Sequence, residues 1–378
     1  MLNAMHKKRP EPDCLRAPCE SPSLVKSKNA NHSVFAGRGV ALALLVLSFC
    51  AAPVPAEEPA KPNVALRLAV SSYRNRVQHP EILLYEHDGV GAGVLKPAFP
   101  SVNKRSDHHP AFSADGRFLT YASEAEGVPS TIQVWDLRES KSLELPGLNE
   151  TPHAQGNPVL AGAGPRLVFD AWSRPGQPGR WDVVAYDLGA KKLEPIAFPP
   201  SANGASGNAS QGLVSTGKGD ERSPSMSADG RLLAFASWSG GETGTDVRVV
   251  DLIAGREVPT PGLNSDRFDG EPALSDDGRW LAISTDGDGG EGGRDVLLYD
   301  LEGARGVRLA GVNTAGQEQS PALSADGRYL VWVAERFDGE GERDVFLYDI
   351  ASEKLLPTPG LNSVRDEMDP AIWRVTQP

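Results

Sequence analysis

Cysteine is nearly missing from this 378-residue chain: Cys14, Cys19 and Cys50 are all there is, and all lie in the first fifty residues. A chain cut beyond Cys50 has no disulfide, no Cys-ligated zinc and no thiol nucleophile. No apolar run reaches the eighteen or so residues that cross a bilayer as a helix. Positive charge is also short, with 38 Lys/Arg against 50 Asp/Glu and a net charge of −12. The first 56 residues hold seven of the basic and three of the acidic residues, so the remainder carries 31 against 47, a net −16. Nucleic-acid binding needs basic surface to replace counterions, and this balance excludes it. Docking to anionic lipid is disfavoured for the same reason. A Gly-x-Ser-x-Gly nucleophile elbow is absent too.

What the chain does have begins with a leader. Arg38 precedes an apolar run from Val40 to Phe49, which ends in Ala51, Ala52 and Val54-Pro55-Ala56. Basic residues, a short apolar run and small residues in that order read as a secretory signal, with cleavage expected after Ala56. The charged stretch ahead of the run is long, which suggests an internal start codon. Leu47-Ser48-Phe49-Cys50 also resembles a lipoprotein signal that would place a lipid on Cys50, although bulky Phe49 stands where that signal has a small residue. The expected product is exported to the periplasm or cell envelope, has no transmembrane span and is a monomer.

Beyond the leader a unit of about fifty residues repeats. Pro110-Ala-Phe-Ser-Ala-Asp-Gly-Arg117 recurs from Pro224, Pro272 and Pro321, with a degenerate copy at Pro158 and a truncated one at Pro370. Each is followed by a second signature: Val-Trp-Asp136, Ala-Tyr-Asp187, Val-Val-Asp251, Leu-Tyr-Asp300 and Leu-Tyr-Asp349, with Leu-Leu-Tyr-Glu86 in the same register near the start. A third, Pro-x-x-Asn, ends in Asn103, Asn149, Asn203, Asn264 and Asn362, and Asn313 ends a variant copy. A repeat in this size range signals a propeller or solenoid.

One unit shows the local physics. Pro272 to Ser275 reads as a short strand, and Asp276-Asp277-Gly278 as a hairpin turn whose Gly supplies positive φ. Trp280 to Ser284, Asp295 to Leu301 and a stretch around Val307 to Ala310 read as three more strands. Four antiparallel strands form a blade that buries both faces only by stacking on neighbours. Residues 63–100 hold three strands without an opening one, and residues 366–375 hold that strand alone. The expected fold is therefore all-β, a six-bladed β-propeller of four-stranded antiparallel blades, closed by the C-terminal strand pairing with the N-terminal three. The expected layout is a leader over residues 1–56, a linker over 57–62, the propeller over 63–375 with a flexible insertion at 204–219, and a tail over 376–378.

The Pro-x-x-Ser-x-Asp-Gly-Arg strand and turn, followed by Asp-Val-x-Leu-Tyr-Asp, resembles the WD-like propeller repeat of TolB and its relatives. The resemblance covers nearly all of residues 63–375 and implies a fold more than an activity. In TolB an α/β domain precedes the propeller, whereas here a few residues separate the leader from the first strand. Related propellers also serve peptidases, where a separate domain carries the catalysis.

Three residues before each repeat proline lie Asp107, Gln155, Glu221, Asp269, Glu318 and Glu367. Five of the six are acidic, and the blade register places them at the mouth of the central channel. They read either as a ring that attracts a cation or a basic peptide arm, or as architecture, each carboxylate bonding amides or an Arg of the adjacent blade. His108 and His109 beside Asp107 form a histidine pair, although adjacent strand residues point to opposite faces. Asp286, Asp288 and Glu291 offer oxygen ligands of the kind calcium takes, without the full spacing of an EF-hand loop. Residues 337–342 are a weaker echo. Trp172 and Trp238 lie near the starts of two loops on the same face, where exposed aromatics favour sugar or protein contact. The function expected is a non-catalytic scaffold that binds an envelope protein or peptide of basic character. The alternatives are a hydrolase or lyase acting on carbohydrate or peptide at Asp107, His108, Glu221 and Asp269, and a calcium-stabilised structural module. No other cofactor is implied.

Overall fold

The computed structural model describes residues 65–75, 78–100, 104–150, 153–161, 166–172, 180–194, 196, 213–214, 219–238, 244–287, 292–336 and 339–374. The expected leader, Cys50, linker and tail lie outside these residues, as do Asn103, Asn203, Asp288, Glu291 and most of 204–219. All the described residues belong to one compact unit, Ala60–Pro378.

That unit consists of six antiparallel sheets. Blade 1 is built from Leu66–Ser72, Glu81–His87 and Gly93–Pro97, with Glu367–Arg374 added along the inner edge. Blade 2 runs Arg105–Phe112, Phe118–Ala125, Val128–Asp136 and Lys141–Ser142. Blade 3 runs Gln155–Ala161, Arg166–Trp172, Trp181–Asp187 and Lys192–Glu194. Blade 4 runs Asp220–Met226, Leu232–Trp238, Thr245–Asp251 and Arg256–Glu257. Blade 5 runs Asp269–Leu274, Trp280–Thr285, Asp295–Asp300 and Arg305–Val307. Blade 6 runs Glu318–Leu323, Tyr329–Ala334, Asp344–Asp349 and Lys354–Leu356. The first strands of the blades touch one another in cyclic order, so they form the innermost wall of a closed ring.

The core follows from the blade geometry. Each of six apolar clusters joins two neighbouring blades, as where Leu68, Val70 and Tyr85 of blade 1 meet Tyr329, Val331 and Val345 of blade 6. Burying a side chain of this size contributes about 1.5–3 kcal/mol, so the stability is shared among six similar joints.

The repeated signatures are the polar fasteners of these joints. In blade 5 Ser275 Oγ donates to Asp277 Oδ1 at 2.5 Å and accepts from the Trp280 amide at 3.0 Å. Gly278 completes the turn at φ +72°. The following arginine reaches back to the aspartate that ends the third strand: Arg117–Asp136 at 2.7 Å, Arg231–Asp251 at 2.8 Å and Arg328–Asp349 at 2.9 Å. The tyrosine before that aspartate donates across to the preceding blade, Tyr299 to the Pro261 carbonyl and Tyr186 to the Pro146 carbonyl. Asn264, Asn313 and Asn362 each clamp both backbone groups of one residue, Val247, Val296 and Val345 respectively.

Two features differ from the sequence pattern. The first strand of blade 5 starts three residues before Pro272, at Asp269, because a bulge accommodates the proline that a regular ladder would reject. Within the insertion, Leu213–Val214 forms a short strand that pairs with Val183 and Val184 of blade 3.

Candidate functional site

The six first strands surround a central cavity of about 660 Å³, which residues from every one of them line. A shared backbone irregularity shapes it. Each first strand breaks register at its proline, for example between His108 and Ala111 and between Gly270 and Ala273. The residue before the proline has positive φ in all six: His109, Asn157, Ser223, Glu271, Ser320 and Asp369, between 44° and 51°. That conformation costs a non-Gly residue about 1–2 kcal/mol, and its presence in every blade makes it a property of the architecture. These six residues form the waist of the channel.

The six residues two positions earlier lie elsewhere. Asp107, Gln155, Glu221, Asp269, Glu318 and Glu367 are all buried, none more than 5% exposed. The turn ahead of each blade takes up most of them. Asp269 accepts from the Ser265 amide and hydroxyl at 2.5 and 2.8 Å, and Glu318 from those of Thr314 at 3.0 and 2.6 Å. Glu367 accepts from the Ser363 amide and hydroxyl and from Ser72 Oγ, all within 2.9 Å. Gln155 donates to the Leu148 carbonyl, and Asp107 accepts from Ser123 Oγ. Burial pushes the carboxyls of Glu318 and Glu367 up, against the pull of these hydrogen bonds. The bulge accounts for the separation, because it shifts which strand position opens to the channel.

The same bulge brings the histidine pair together despite strand alternation. His109 Nε2 is 3.7 Å from Asp369 Oδ1, and His108 Nδ1 is 3.9 Å from Asp369 Oδ2. Burial lowers the His108 pKa and favours the neutral imidazole. Three carboxylates bridge to the next blade by accepting its waist amide: Asp369 from His109, Asp170 from Ser223 and Glu271 from Ser320.

Two of the residues around this waist escaped the sequence reading. Asp170 stands where the other blades have Ser71, Ala122, Ala236, Ser284 and Val333. It is fully buried, accepts from Asn157 Nδ2 at 2.6 Å and has one oxygen, Oδ1, without a hydrogen-bond partner among the described residues. Burial pushes its carboxyl up. Gly156 opposite leaves the room, since a Cβ there would lie 2.9 Å from Oδ1. Arg222 is exposed within the channel wall and lies over the Trp181 ring at 4.3 Å. The signal for both was a departure from the repeat rather than a match to it.

Of the proposed calcium ligands, Asp286 lies in a described segment, and its Oδ1 accepts from Arg294 Nε at 3.1 Å. Among the described residues no cluster of three or more His, Cys, Asp or Glu has the arrangement of a metal site. Trp172 and Trp238 are 38% and 47% exposed, and Trp238 lines the cavity.

This geometry defines a six-bladed β-propeller with a central cavity lined by both charged and apolar side chains. A crystal structure of TolB from Acinetobacter baumannii matches it with a TM-score of 0.56 at 17% identity, over 82% of this chain and 67% of that one. Hydrazine synthase from Kuenenia stuttgartiensis matches with a TM-score of 0.55 at 13% identity, over 82% of this chain and 46% of that one. The likeness at these identities is one of fold, and in fold the chain is a TolB-like propeller. No family model and no curated protein matches it. Among the described residues no helix is long and apolar enough to cross a membrane.

Proposed function

We propose that this protein is an exported, non-catalytic binding scaffold of the periplasm or cell envelope, which holds a protein or peptide segment in its central channel. The observation that carries this reading is the cavity of about 660 Å³ bounded by all six blades, with charged groups at its waist. A concave site of that size, built on strands rather than loops, takes a short stretch of chain. The leader sequence supports export. The net charge of −16 beyond Ala56 supports a partner of basic character, attracted over distances that salt screens.

The test is a pull-down from envelope extract at low and moderate salt, with the parent protein beside a Glu271→Gln/Asp369→Asn variant. A basic protein should be retained by the parent, less of it at the higher salt and less by the variant. Failure to retain any protein at either salt, or equal retention by the variant, sinks the reading.

A further inference from the structure

The channel waist is electrically lopsided. Two positions before the proline, the other five first strands carry His108, Gly156, Gly270, Gln319 and Met368, whereas blade 4 carries Arg222. Among the described residues no carboxylate is paired with the Arg222 guanidinium, which rests on the Trp181 ring. Asp170 is near enough to feel its charge but does not form an ion pair with it, and burial drives Asp170 toward its neutral form. Among the described residues, then, Arg222 is a cation without an ion pair, backed by an aromatic face and open to the cavity. A guanidinium in that state suits a carboxylate, which it binds through two parallel hydrogen bonds.

Negative charge lies opposite. In the cyclic order of first strands, the strand carrying Asp369 is three steps from the one carrying Arg222 in either direction, so the two face each other across the ring. Glu271 adds a second waist carboxylate, but Arg294, 3.9 Å away and stacked on Phe268, partly offsets it. Taken together, the cavity lining holds four carboxylates, Asp220, Glu271, Asp276 and Asp369, against two guanidinium groups. A simple anion would gain from Arg222 but enter a net negative space. A simple cation would leave Arg222 unpaired.

We infer that the channel recognises a short peptide bearing both free termini, with its α-carboxylate on Arg222 and its α-ammonium on Asp369. This rests on the channel being the binding place, as proposed above, and adds the chemistry that is bound there. The same zwitterionic chemistry occurs in a free amino acid, but the opposed placement of the two groups favours a ligand long enough to reach across the ring. Asp369 is positioned for the role by the His109 amide, which donates to Oδ2 at 3.3 Å and leaves Oδ1 beside the imidazole.

Isothermal titration with trialanine, N-acetyl-trialanine, trialanine amide and free alanine tests the inference. Trialanine should bind, and blocking either terminus should weaken binding about tenfold or more, the loss expected for one charge-assisted contact. Free alanine should bind more weakly than trialanine. Arg222→Gln should reproduce the effect of the amide and lose discrimination between acid and amide. Asp369→Asn should do the same for the acetyl group. Among the described residues Arg222 has no ion pair to lose, only its contact with the Trp181 ring, so a melting temperature for Arg222→Gln within a few degrees of the parent guards against misreading a folding defect. Equal binding of blocked and free peptides overturns the inference, as does unchanged affinity in Arg222→Gln or tighter binding of alanine than trialanine. If no peptide binds at millimolar concentration while the envelope protein is still captured, the inference fails and the scaffold reading stands. If neither binds, both fail.

Discussion

Two rings of six residues sit two positions apart on the same strands, and they behave differently. The set three residues before the proline, Asp107, Gln155, Glu221, Asp269, Glu318 and Glu367, is nearly uniform in type and entirely buried. The waist set, His109, Asn157, Ser223, Glu271, Ser320 and Asp369, shares a backbone conformation but mixes an imidazole, an amide, two hydroxyls and two carboxylates. Uniformity marks the positions that hold blades together, because every joint poses the same problem. Variety marks the positions that face the shared space, where each blade presents something of its own.

Truncation tests this contrast with the largest effect. Glu367→Ala removes three hydrogen bonds at a buried site and strands the Ser363 amide, so a loss of about 3 kcal/mol is expected by chemical denaturation. Ser320→Ala, at the waist, should change stability by less than about 0.5 kcal/mol. Similar losses at both positions would break the distinction between joint and channel.

Asp170 sharpens it through pH. Burial raises the folded carboxyl pKa above its unfolded value. Between those two values the native state keeps a proton that the unfolded state has released, so parent stability falls as pH rises through the window. Asp170→Asn cannot titrate and keeps an acceptor for the Ser223 amide. Its stability relative to the parent should rise over the same window, measured as denaturation midpoints at about pH 4 and about pH 8. A constant difference between the two proteins would mean that Asp170 is ionised throughout.

A smaller effect is expected at a turn that belongs to neither ring. Ser275→Ala removes one hydroxyl that donates to Asp277 and accepts from Trp280, at a cost of about 1 kcal/mol. A loss as large as that of Glu367→Ala would place the hairpin, rather than the blade joint, at the centre of stability.

The legible part of the molecule was the part that repeats. Blade number, strand order, the Asp-Gly turn and ring closure all follow from signatures that recur because each forms the same local bond. The Ser-x-Asp-Gly-Arg and Leu-Tyr-Asp segments turn out to be two ends of one contact, as Arg328 and Asp349 show. The bulge was not legible, since strand alternation assigns His108 and His109 to opposite faces, and one left-handed residue before a proline undoes that assignment. Asp170 and Arg222 were hidden for another reason. They interrupt a pattern, and a search for matches passes over interruptions. Asp288 and Glu291 lie outside the described residues.

Ring closure has a consequence for how the molecule is assembled. Ser72 and Glu367, bonded in blade 1, are 295 residues apart in the chain. The other five blades can form from neighbouring segments, but the first must wait, with one edge unsatisfied, for its last strand. Pairings so distant in sequence form slowly, because the entropy of closing the loop must be met before the contacts are gained. During that interval the inner edge of Leu66–Ser72 is a template for any passing strand, so a second copy of this chain is a natural competitor for the place that Glu367–Arg374 finally takes.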